Sequence, residues 1–154
     1  MKIYSTCLIL KGCLFLSINC LFSVLSTLLF SDVYKLLLAK LNSGSSAYVR
    51  YSFHSNDAET VHIMAMLLRP QASILPHRSL KAGFNYYQVV SGSLLISKAS
   101  NSKQYCEPLL IDNSCAPLRV DRTAWRRLTN NTNLPCFYLE TTSGPFIPGS
   151  TVWV

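Results

Sequence analysis

A chain of 154 residues can hold one domain with a core of its own and is too short for two ordinary ones. The net charge of +7 comes from 14 basic and 7 acidic residues set singly along the chain, except at Arg126-Arg127. No basic stripe with interleaved aromatics forms, so a nucleic-acid partner is not indicated.

The first thirty positions differ from the rest. From Gly12 to Phe30 run 19 residues without a charge, after Lys2 and Lys11, close to what a helix rising 1.5 Å per residue needs to cross a bilayer core of ~30 Å. An apolar helix over residues 1–30, anchoring the protein to a membrane, is the first expectation. An extension from a start codon placed too far upstream and an uncleaved export signal are the alternatives, with a cytoplasmic protein as the alternative location. No small-x-small cleavage site follows the stretch, and lysines on both sides leave orientation open.

Residues 31–154 form the expected domain. Ser31 suits a helix N-cap, Asp32 the positive end of a helix dipole, and Val33, Leu37 and Leu41 recur at helical spacing. A short amphipathic helix ending at Asn42-Ser43-Gly44 follows. Beyond it, β-branched and aromatic runs predict strands over Tyr48 to Phe53, Thr60 to Arg69, Ser73 to Leu75, Phe84 to Val90, Ser93 to Ser97, Tyr105 to Ile111, Leu118 to Val120, Cys136 to Thr141 and Thr151 to Val154. Asn-Asp, Arg-Pro, Ser-Gly, Asn-Asn and Gly-Pro pairs separate them. Ser91-Gly92 reads as a tight hairpin with Gly92 at positive φ. Many short strands without intervening helices point to a sandwich or barrel.

Cys106, Cys115 and Cys136 cannot all pair with one another and lack C-x-x-C spacing, so neither a disulfide framework nor a zinc knuckle is supported. No Ser-His-Asp arrangement, Gly-rich phosphate loop or paired-carboxylate motif is present.

Arg50, Ser52-Phe53-His54, Leu68-Arg69-Pro70, Leu75-Pro76-His77-Arg78, the segment from Asn85 to Gly92, Val120 to Trp125, and Glu140 followed by Ser143-Gly144-Pro145-Phe146 occur in that order. In this the chain resembles the cupin superfamily and, more narrowly, its WbuC family, from Ser31 to the end. The resemblance implies a mainly β, cupin-type antiparallel barrel of jelly-roll type behind the short helix. It also implies a first motif supplying His-x-His and a Glu, and a second supplying one more His, which together hold Fe, Mn, Ni or Zn.

Here that set is mostly replaced. His77 holds the first ligand position, Ser79 the second, Asn85 the carboxylate position, and Arg126 the histidine position of the second motif. Neutral oxygens bind transition metals weakly, and a permanently charged guanidinium repels a cation. His77 is the one metal ligand left, and no cofactor is expected.

His77, Ser79, Asn85, Arg126 and Glu140 are therefore candidate pocket residues for a small polar or anionic ligand such as a sugar derivative. Arg126 supplies a two-pronged donor, and Glu140 is either its partner or a solvated strand carboxylate. His54 and His62 fall outside the motif, and His62, between Val61 and Ile63, is expected on the face away from the apolar side. Tyr86 and Tyr87 are expected to pack in the barrel. The leading expectation is a non-catalytic or weakly active binding domain. A divalent-metal enzyme acting on a small sugar-like or carboxylate substrate is the alternative, and a homodimer stays open.

Overall fold

The computed structural model describes residues 30–99 and 106–154. The chain divides into two compact units, Met1–Lys35 and Leu36–Val154; the sheets, the core and the cavity all belong to the second. A helix, α1, runs from residue 30, within the first unit, to residue 43, so Ser31 lies inside the helix and does not cap its start. In the second unit Leu37 and Leu41 are buried and Leu36 is exposed, the split that an apolar stripe imposes. The Arg69 guanidinium closes the end of the helix, donating to the carbonyls of Leu41 and Gly44 through one nitrogen and to Ser46 O through Nε at 2.8 Å.

The apolar stretch expected to form a membrane helix lies outside the described residues. Among the described residues no helix is long and apolar enough to cross a membrane. The expectation of membrane attachment is corrected accordingly.

Ten strands follow α1 among the described residues: β1 (Tyr48–Ser52), β2 (Val61–Leu68), β3 (Ala72–Ser79), β4 (Phe84–Ser91), β5 (Ser93–Ala99), β6 (Leu109–Asp112), β7 (Leu118–Asp121), β8 (Trp125–Asn130), β9 (Cys136–Ser143) and β10 (Thr151–Trp153). They form two antiparallel sheets of five, ordered β1-β2-β9-β4-β7 and β10-β3-β8-β5-β6. Of the expected jelly-roll-like barrel the structure shows the two antiparallel sheets; among the described residues no ladder joins one to the other. The sheets close on each other through their inward side chains. Leu68, Val89, Val120, Cys136 and Tyr138 of the first meet Ile74, Leu94, Ile96, Ile111 and Leu128 of the second in one core.

Three local features differ from the sequence expectation. β4 and β5 do not pair as a hairpin: the chain leaves one sheet and enters the other across Gly92. Gly92 has φ of +86°, and a Cβ there would lie 3.0 Å from Pro135 O and 3.2 Å from Cys136 Cα. β8, not anticipated, alternates strictly, but two of its three inward residues, Arg126 and Asn130, are polar, which hides the apolar period.

β3 continues past Leu75, where the sequence suggested it would end, and its register shifts between Ile74 and His77. That bulge admits Pro76, which has no N–H to give a ladder. It also decides which way the chemistry faces. Ile74 and His77 are an odd number of residues apart and would point to opposite sides of a regular strand; the extra residue turns both inward.

Replacing Gly92 with Ala places a side chain in a left-handed backbone against the β9 entry. We expect it to lower unfolding stability by about 1–3 kcal/mol in urea titration. A loss below about 0.5 kcal/mol would show that this corner does not need glycine.

Candidate functional site

The space between the sheets is apolar at one end and polar at the other, and the change happens within single strands. On β2 the inward series runs Leu68, Met66, Met64, His62; on β9 it runs Cys136, Tyr138, Glu140, Thr142; on β4 it runs Val89, Tyr87, Asn85. Strand periodicity thus carries each row from core into a cavity of about 260 Å³. That is slightly below the usual range for drug-sized ligands, which suits a small molecule.

The five candidate residues come together here. His77, Ser79, Asn85, Arg126 and Glu140 all line the cavity, and the first four are buried. His77 and Arg126 face each other as register partners on β3 and β8. On the other side of His77, Trp153 of β10 is its register partner, with ring centroids 4.8 Å apart.

Tyr87, fully buried, ties the opposite sheet to this pair. Its hydroxyl accepts from Arg126 Nε at 2.8 Å and from Asn85 Nδ2 at 3.1 Å, and donates to Glu140 Oε1 at 3.4 Å. Asn85 Nδ2 also donates to Glu140. A second arginine nitrogen, Nη1, donates to Arg122 O at 3.1 Å. Nη2 has no protein acceptor among the described residues. The Ser79 hydroxyl is occupied locally, accepting from Lys81 N at 3.0 Å.

These surroundings set the charge states. Burial, and then the Arg126 guanidinium, hold His77 down at about 4, while its hydrogen bond to Leu75 O at 2.8 Å opposes them. The ring is therefore neutral near pH 7, with Nδ1 donating to that carbonyl and Nε2 left as an acceptor. Burial raises the Glu140 carboxyl, with Arg126 and the Tyr87 hydrogen bond pulling the other way. Burial likewise pushes the Tyr87 phenol well above its usual range and lifts the Cys136 thiol to about 12.

Sequence reasoning missed several lining residues. Arg50, Arg122, Thr142 and Trp153 also border the cavity. The signal was present for Thr142, two residues from Glu140, since the pair shares a face. The expectation for His62 is corrected: it is buried and lines the cavity, while Val61 and Ile63 are 50% and 38% exposed. At this end of β2 the inside is the polar side. Tyr87 is interior as expected, whereas Tyr86 is 43% exposed. Cys106 and Cys115 are exposed free thiols.

Among the described residues no group of three or more His, Cys, Asp or Glu side chains is placed to hold a metal ion. Around His77 the donors are a guanidinium, a hydroxyl and a carboxamide already committed to Glu140 and Tyr87, with Glu140 itself paired to those two. Such a set does not fit a divalent transition metal.

No family model matches the chain, and no curated protein matches it. Solved structures do match, and they are cupin-fold proteins. Lactobacillus farciminis oxalate decarboxylase, in its formate complex, superposes with a TM-score of 0.59 at 14% identity over 72% of this chain and 32% of its own. Oxalate oxidase bound to the substrate analogue glycolate gives 0.58 at 15% identity over 73% and 57%. The capsular polysaccharide assembling protein CapF from Staphylococcus aureus gives 0.59 at 13% identity over 72% and 33%. The fold is thus the cupin fold, and the chain spans from about a third to just over half of the length of these proteins.

The depressed pKa of His77 has a consequence for stability. Between its ordinary value of 6.5 and about 4 the unfolded chain binds the proton that the folded protein refuses, so this residue makes stability fall as pH is lowered through that window. Glu140, raised, acts in the opposite sense, its contribution being lost as pH rises above the ordinary carboxylate value. Comparing wild type with His77→Gln isolates the histidine. From pH 7 to 4.5 wild type should lose about 2 kcal/mol more than the variant in urea titration; parallel losses would mean that the imidazole is free to protonate.

Proposed function

We propose that the chain is a WbuC-like cupin-fold domain that binds a small anion in this cavity and acts as a binding domain, not as a metal-dependent catalyst. The observation that carries the reading is Arg126, a guanidinium buried between the sheets. Tyr87 and Arg122 O hold two of its nitrogens, leaving Nη2 without a protein acceptor among the described residues. Arg50, Arg122 and Arg126 border the cavity against two acids, Asp57 and Glu140. A carboxylate or phosphate supplies the missing counter-charge and matches the guanidinium fork. The WbuC family suggests a setting near surface-polysaccharide synthesis, and one neighbour in fold, CapF, is described as assembling capsular polysaccharide.

Calorimetric titration of the full chain with small carboxylates and phosphates tests this. Arg126→Gln should weaken anion binding by about tenfold to a hundredfold, the loss of a charge-assisted hydrogen bond. Arg127→Gln, on the exposed face of the same strand, should leave it unchanged. No saturable binding, or equal effects of the two variants, would refute the reading.

The same donor set speaks for a cavity without a metal. Mn²⁺, Fe²⁺, Ni²⁺ or Zn²⁺ should leave the melting temperature unchanged within about 1 °C, because a site that binds only the native state would raise it by mass action. A stoichiometric metal in the purified protein, lost on His77→Ala, would establish the metalloenzyme alternative.

A further inference from the structure

Three adjacent strands place one residue each in a single row across the cavity wall. His62 on β2 is the register partner of Thr142 on β9, which is in turn the partner of Asn85 on β4. All three line the cavity, as does Arg122 in the turn after β7. His62, Asn85 and Arg122 are 4%, 2% and 7% exposed.

Each of the four carries a buried polar atom without a hydrogen-bond partner: His62 Nε2, Thr142 Oγ1, Asn85 Oδ1 and Arg122 Nε. Only two other such atoms, Arg78 Nε and Tyr138 Oη, occur among the described residues. A buried polar group left unpaired costs about 1–3 kcal/mol, and native proteins carry few of them. Gathering four on residues that border one wall is costly, and small side-chain rotations would let a group in the cavity pair with them.

The chemistry of that partner follows from what the four atoms need. Arg122 Nε donates only and requires an acceptor. Asn85 Oδ1 accepts only and requires a donor, because its amide nitrogen is already given to Tyr87 and Glu140. The Thr142 hydroxyl does either, and His62 Nε2, in a ring stacked 4.1 Å from that of His54, does either according to tautomer. An anionic group offers acceptors alone and leaves Asn85 unpaired. Neighbouring hydroxyl groups, each both donor and acceptor, satisfy the whole row.

We infer that the His62–Thr142–Asn85 row, with Arg122, is a subsite for the hydroxyl groups of a polyhydroxylated anion, whose charged end is held by Arg126 on the facing sheet. The inference rests on the anion-binding reading and adds to it the body of the ligand.

Matched pairs of probes separate the two. Glucuronate and cyclohexanecarboxylate, gluconate and hexanoate, and glucose 6-phosphate and cyclohexyl phosphate share an anionic group and differ in hydroxyls. In calorimetry on the full chain, the hydroxylated member of at least one pair should bind at least about tenfold more tightly, since a site built to pair hydroxyls rejects a ligand lacking them. Thr142→Val, close in shape but without the hydroxyl, should cut that preference to below about threefold, while Thr142→Ser keeps the preference. If the deoxy members bind as tightly as their partners, the row is filled by water and the inference fails while anion binding stands. An undiminished preference in Thr142→Val also overturns the assignment. If no probe binds, the anion reading itself fails, and the subsite with it.

Discussion

A guanidinium enclosed between two β-sheets needs acceptors for its N–H groups, and the Tyr87 hydroxyl supplies the one that ties Arg126 to the opposite sheet. It accepts from Arg126 of one sheet and Asn85 of its own, and donates to Glu140. A phenol can do this because it both accepts and donates, which neither a carboxylate nor an ammonium can. Removing one member of such a network strands the others away from water, at a cost greater than the bond lost. The polar end of the sandwich is in this sense a single unit: the tyrosine bonds the arginine, the amide and the acid, and the amide and the acid bond each other.

The same unit supports the anion-binding reading proposed above. In a metal-holding pocket of this shape, imidazoles and a carboxylate converge, each offering a lone pair. Here the side chain facing His77 offers protons and a fixed positive charge, and the lone acid beside it is already hydrogen-bonded twice. The His77 imidazole in this setting stays neutral and leaves Nε2 as an acceptor.

Much of this was legible in the sequence, for a physical reason: alternation on a half-buried strand states which side chains share a face. Asn85, Arg126 and Glu140 were pocket candidates from motif order alone, with Glu140 open between a partner of Arg126 and a solvated strand carboxylate; all three line the cavity. What failed did so where the inner surface is itself polar. On β8 the inward series Arg126, Leu128, Asn130 has one apolar member in three, so the strand went unseen; on β2 the inward His62 looked like the solvent side. Asn130 is wholly buried and hydrogen-bonds the backbone of Arg69 and Leu134, a tie between loops that no residue pattern announces. The Ser91-Gly92 turn shows the limit of local chemistry: its glycine takes the positive φ expected, but a left-handed residue serves a crossing between sheets as readily as a hairpin.

Trp153 lies over His77 at the rim of the cavity, half exposed, and the only other indole, Trp125, sits under the Arg78 guanidinium. Indole emission responds to the polarity around the ring and is quenched by protonated imidazole. With His77 held down at about 4, that quenching is silent until the pH falls toward that value. The protein therefore carries an intrinsic optical reporter of whatever occupies the space between its sheets, readable without a label or an assay for turnover.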